Sequence, residues 1–188
     1  MKKLSTKTLV IGAALTAVVI VLQLMGAFIR FGMFQVSLVL APIVIGAAIG
    51  GIGLGAWLGF VFGLVVLLNG DAASFLAIDV FGTIVTVLLK GTLSGLFSAL
   101  TYKAIEKKNK YLAVISAAIV CPIVNTGVFL LGCFVFFMEA IREWAGGGQL
   151  VSFFIMGLGL INFPVELIFN IILSPAILRL LNLKEIKK

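Results

Sequence analysis

The chain alternates long apolar stretches with short polar breaks. The stretches predict helices at about 9–28, 35–49, 52–68, 79–100, 112–137 and 150–180. Most reach the roughly 20 residues that carry a helix across a bilayer. Arg30 and Gly32 end the first. Residues 31–70 carry no charge, which is too long for one crossing and barely enough for two, so a turn is expected at Gly50–Gly51. Asn69-Gly70-Asp71 is a turn signal, a semi-polar loop spans Ala72–Ile78, and Asp79 is placed to cap the next helix. The last stretch is too long for a straight crossing, and Pro164 supplies a reason to bend.

Composition makes the membrane reading firm. Hydrophobic residues are 62% and charged residues 11%, against about 45–50% and 25% in soluble domains. The expected architecture is an all-α integral membrane protein: a six-transmembrane-helix bundle forming one membrane domain over 1–188. MKKLSTKT followed by Leu9–Ile29 is longer in its apolar part than the usual secretory signal, so it reads as a retained first helix.

The net charge of +7 is explained by orientation. Lys2, Lys3, Lys7, Lys103, Lys107, Lys108, Lys110, Arg179, Lys184, Lys187 and Lys188 fall on one side of a six-crossing bundle, and Arg30 and Arg142 on the other. The crowded side is cytoplasmic, which puts both termini inside a bacterial cell membrane. A nucleic-acid partner is not needed to account for the lysines. Tyr102 and Tyr111 flank the inner loop as interfacial anchors. Histidine is absent, so the commonest general base and metal ligand is missing. Cys121 and Cys133 are too far apart on one helix for a disulfide. No glycine run leads into Lys-Ser or Lys-Thr, so ATP-driven work needs a partner. No catalytic residue, metal or cofactor is expected.

Charge inside the apolar stretches changes the picture most. Lys90 lies about eleven residues from either polar flank of its helix, near the middle of the bilayer, where an ionisable group is costly and marks a functional site by default. Asp79, Thr83, Thr86, Lys90, Ser94 and Ser98 recur at three- and four-residue spacing on one helical face. Asn162, Glu166, Asn170 and Ser174 form a second stripe, and Asn125 with Thr126 lies in the fifth helix. Such stripes must face protein or a wet cavity. Two readings stay open: a structural hydrogen-bond network with a Lys90–Glu166 pair, or a solute site lined by three helices. Gly51, Gly55, Gly59 and Gly63, preceded by Gly46 and Gly50, read as a close-packing face, and Ala13-x-x-x-Ala17 as a smaller one. No internal repeat is visible.

Six helices, a basic second inner loop and the first-helix Ala-x-x-x-Ala resemble the substrate-binding S-components of energy-coupling factor (ECF) vitamin transporters. SLVLAPIVIGAAIGG, GAWLGFVFGLVVLLNGDAA, GTIVTVLLKGTL and CPIVNTGVFLLG resemble the branch that includes the pantothenate subunit. The resemblance covers nearly the whole chain. It implies a subunit that binds a vitamin in its outward half and docks on a transmembrane coupling (T) subunit. Two cytoplasmic ATPases then drive a toppling motion that carries the vitamin inward. Ala13 and Ala17 would be the docking face. Thr83, Thr86, Lys90, Asn125, Asn162 and Glu166 would form the ligand shell, and the loops around Arg30–Gln35 and Trp144 a lid. The outer half looks poor in stacking residues, with only Trp144 and several phenylalanines, which points to pantothenate, a flexible hydroxy-acid amide, rather than riboflavin or a B6 vitamer. A stand-alone proton-coupled carrier using Glu166 is the alternative of another class.

Overall fold

The computed structural model describes residues 6–26, 30–31, 34–35, 38–146, 150–154 and 162–186. They are helical apart from turns and one pair of two-residue strands. The helices are α1 (Thr6–Gly26), α2 (Leu40–Leu68), α3 (Ala73–Leu76), α4 (Val80–Ile105), α5 (Lys110–Phe136), α6 (Met138–Trp144), α7 (Leu150–Ser152) and α8 (Asn162–Ile186). Strands β1 (Arg30–Phe31) and β2 (Phe34–Gln35) pair antiparallel, Arg30 opposite Gln35. Among the described residues four helices are long and apolar enough to cross a membrane: α1 from Thr8, α2, α4 and α5. The 25-residue α8 carries Glu166 and Arg179.

The turn expected at Gly50–Gly51 is present inside α2. Gly51 has φ 72 and ψ −158, a conformation open to glycine and strained for other residues. A methyl group placed on Gly55 would lie 3.1 Å from the Cβ of Ala47, and Gly46 faces Leu58. Residues eight apart on a straight helix are about 12 Å apart. The chain therefore folds back at Gly51 into two antiparallel arms, Leu40–Gly50 and Ile52–Leu68. The first arm is shorter than the expected 35–49, because Gln35 is taken up by the strand pair.

The remaining boundaries differ at their ends. The loop 72–78 contains α3, and the loop 138–149 contains α6. Asp79 does occupy the cap position of α4 with extended backbone, but its side chain makes no cap bond. Instead the hydroxyl of Thr83 donates to the Asp79 carbonyl at 2.6 Å. Asn109 is the true side-chain cap, accepting from the Leu112 amide of α5 at 3.1 Å. Pro164 is the third residue of α8 as described. The bend expected in 150–180 would involve residues 155–161, which lie outside the described residues.

The glycine run packs helix on helix. A methyl on Gly55 would stand 2.6 Å from the Gly95 carbonyl oxygen, one on Gly63 2.7 Å from that of Val87, and Gly59 faces Gly91 between them. The second arm of α2 thus meets α4 backbone to backbone, which only small residues permit. On its other side α4 meets α5, where Gly132 abuts Thr86 and Ser98 donates to the Ala117 carbonyl at 3.1 Å. α8 packs on α5 and reaches α2. The core between them holds Leu40, Ile43, Val44, Leu58, Phe62, Ala117 and Ile177. α1 is peripheral: Leu9, Val10, Val21, Leu24 and Met25 are exposed, while Val19 and Gln23 are buried.

Candidate functional site

The polar face of α4 turns inward, as its spacing requires. Thr83, Thr86, Ser94 and Ser98 are buried. Lys90 is half-buried, its ammonium 5.5 Å from the ring centre of Phe62 on α2 and 5.2 Å from that of Phe129 on α5. Both distances are within cation–π range. α8 contributes Glu166, Asn170 and Ser174, all buried. Asn125 of α5 is buried too, and α5 packs on both the α4 and the α8 helix that carry the two stripes.

Some of this polarity is locally satisfied. Ser94 donates to the Gly91 carbonyl at 2.7 Å and Ser174 to the Asn170 carbonyl at 3.0 Å. Thr86 Oγ1, Asn125 Oδ1 and both side-chain polar atoms of Asn170 are buried with no hydrogen-bond partner among the described residues. Leaving a buried polar atom unpaired costs roughly 1–3 kcal/mol, so these atoms suit a bound solute or water more than a self-contained structural network.

Beside Lys90, toward the α3/α6 end, is an aromatic cluster. The Phe75 ring centre is 5.7 Å from that of Phe129, 4.9 Å from Phe137 and 5.6 Å from Trp144, all edge-on. Trp144 continues it to Phe153 at 6.4 Å. Trp144 and several phenylalanines, which the sequence reading counted as too few to favour a flat ring, are gathered here into one cluster. The rings come from α3, α5, the α5–α6 junction, α6 and the segment after α7, so no single sequence period reveals them.

Thr83, Thr86, Asn125 and Glu166 are thus buried and Lys90 half-buried on helices that pack together, and Trp144 is connected to Lys90 through Phe75 and Phe129. Asn162 is the first described residue of α8 and Arg30 lies in β1; their side chains fall outside the described residues. Ala13 and Ala17 are exposed on α1. Ala13 borders a groove of about 660 Å3 between α1 and the α2 reversal, lined also by Gly12, Thr16, Gly53, Leu54 and Trp57. The Trp57 indole donates across it to the Thr16 hydroxyl at 3.2 Å. Sequence reasoning missed the rings of Phe62 and Phe129, and also Gln23, whose amide donates to Asp71 Oδ2 at 2.8 Å. Gln23 was findable as a lone amide in the apolar run of α1. Among the described residues no cluster of His, Cys, Asp or Glu could hold a metal ion.

Four helices among the described residues are long and apolar enough to cross a membrane, and buried polar side chains lie among them, which is the architecture of a helical integral membrane protein. A family model, ECF transporter substrate-specific component, matches residues 7–178, and the chain belongs to that family. It is a membrane-embedded, substrate-binding transporter component rather than an enzyme, and membership implies association with T and ATPase modules. Comparison with curated proteins and with solved structures gave no match.

Proposed function

We propose that this chain is the high-affinity vitamin-binding subunit of an ATP-driven ECF importer in a bacterial cell membrane, with pantothenate as its substrate. One observation carries the reading. The Lys90 ammonium rests on two phenyl rings in an interior that also holds buried Thr86 and Asn125 atoms with no partner among the described residues. A carboxylate can take the ammonium by charge-assisted hydrogen bonding, while hydroxyls and an amide of the ligand pair with Thr86 and Asn125. Thr83, Asn162 and Glu166 complete the shell, with Trp144 and Arg30 toward its mouth. The chain crosses the membrane six times, counting the arms of α2 separately, with both termini cytoplasmic. It docks through Ala13 and Ala17 on a T subunit that works with two ATPases, and toppling carries the vitamin inward.

The aromatic cluster at Phe75, Phe129 and Trp144 favours a second reading within the family, a ring-bearing vitamin such as riboflavin or a B6 vitamer stacked against those rings. Calorimetry with a vitamin panel on the purified subunit decides. Pantothenate should bind tightly, and Lys90→Ala should weaken it by roughly 2–5 kcal/mol, the scale for truncating one partner of a buried charged contact. Tight riboflavin binding without pantothenate binding overturns the substrate. Unchanged affinity in Lys90→Ala with reduced thermal stability makes Lys90 a structural residue.

A further inference from the structure

The groove between α1 and the α2 reversal plays no part in the site around Lys90. Its two walls run side by side. A methyl placed on Gly12 would lie 3.1 Å from the Leu54 side chain, and one turn further along the Trp57 indole donates to the Thr16 hydroxyl at 3.2 Å. That bond bridges the groove and closes one end of it. From the bridge the slot runs back past Ala13 and Gly53 to Thr8 and Gly50, about 12 Å along α1 at 1.5 Å per residue. Gly53 leaves its wall open, with nothing within 4 Å of where a side chain would begin. Apart from Thr8 and the Thr16–Trp57 pair, the lining is apolar.

Shape and charge together choose an occupant. A helix with its side chains is about 10–12 Å across, so it lies over a slot bridged by one hydrogen bond rather than in it. A single hydrocarbon chain is thin enough to enter and finds apolar walls. The open end is at Thr8, where the membrane-spanning part of α1 begins, at the level of the lipid headgroups. The chain there is wholly basic. Lys2, Lys3 and Lys7 precede Thr8, Lys7 in the first turn of α1, and no acidic residue occurs before Asp71. We propose that this groove seats one acyl chain of an anionic phospholipid, with the basic start of the chain supplying the countercharge to its headgroup. Lysines beside a membrane surface attract anionic lipid, and basic pockets between helices hold it. The slot turns that diffuse attraction into one seated lipid. The inference needs only the membrane embedding and this groove, and it stands whatever the solute at Lys90.

Trp57 is the reporter, because it closes the groove. Trp144→Phe leaves it the sole tryptophan. The full chain is placed in phosphatidylcholine vesicles that carry the same small fraction of either phosphatidylglycerol or phosphatidylcholine brominated along the acyl chain. Bromine quenches the indole on contact. Brominated phosphatidylglycerol should quench Trp57 about twofold or more beyond brominated phosphatidylcholine. Equal quenching overturns the proposal and leaves the groove to a partner protein. Changing Lys2, Lys3 and Lys7 together to Gln should abolish the preference, and so should Ala13→Phe, which fills the slot and keeps the lysines. A preference that survives either change overturns the proposal too. Should a variant not fold, native mass spectrometry of the wild-type chain decides. From micelles holding both lipids in equal amount, one phosphatidylglycerol should stay bound in preference to phosphatidylcholine, and equal retention overturns the site.

Discussion

At the scale of the residue, the proposed site stands on buried polar atoms that have no partner among the described residues. Each cation–π contact of Lys90 is worth about 0.5–2 kcal/mol, enough to park the ammonium and weak enough for a carboxylate to displace. Thr86 shows the same economy. Its hydroxyl is buried beside Gly132 with no partner among the described residues, and a buried unpaired hydroxyl costs stability. Thr86→Val keeps the shape and removes the orphan. It should raise the melting temperature of the free subunit, by an amount equivalent to roughly 1 kcal/mol, and lower pantothenate affinity by a similar amount. Thermal melts and calorimetry on the same sample check both; a rise in stability with unchanged affinity would place Thr86 outside the ligand shell. Lys90 and its stripe were legible in the sequence because helical spacing alone puts them on one face. The rings around Lys90 were not, since Phe62, Phe75 and Phe129 are brought together by three different elements. Which atoms remain unpaired depends on side-chain placement, which no spacing reports.

At the scale of the element, glycine spacing told what the run does and left its partner unnamed. Gly55, Gly59 and Gly63 were readable as a packing face; Gly51, expected to belong to it, is instead the reversal and has nothing within 4 Å, and that the other three meet Gly95, Gly91 and Val87 of α4 follows only from the antiparallel register. The reversal at Gly51 was legible from the length of the uncharged run, whereas α3 and α6 were read as loops because four and seven residues show too little periodicity. Two glycines separate packing from propensity. Gly59→Ala pushes a methyl into the Gly91 carbonyl and should destabilise by roughly 1–3 kcal/mol. Gly53→Ala adds a methyl where nothing lies within 4 Å and should stabilise by about 0.5–1 kcal/mol, the ordinary gain of alanine over glycine in a helix. Thermal unfolding of the two variants should move in opposite directions.

At the scale of the molecule, the proposed orientation makes the Lys103–Lys110 side cytoplasmic and the α6 side external. In intact cells an impermeant thiol reagent should label Glu143→Cys and spare Lys108→Cys in a background lacking Cys121 and Cys133; the reverse pattern inverts the bundle. Docking separates from binding in the same way. Ala13 and Ala17 are exposed, so changing both to Leu should leave vitamin affinity within about twofold and stop uptake, because the added side chains hold two backbones apart. Equal loss of both would point to a damaged bundle. The reversal at Gly51 has one more consequence. The first arm, Leu40–Gly50, spans about 16 Å and the second, Ile52–Leu68, about 26 Å, at 1.5 Å per residue, against a hydrocarbon core near 30 Å. Neither arm alone reaches across it. Leu40, Ala41, Pro42, Ile43, Val44, Gly46 and Ala47 of the first arm are buried by protein, so that arm is sheltered from lipid by its neighbouring helices rather than matched to the bilayer by its own length.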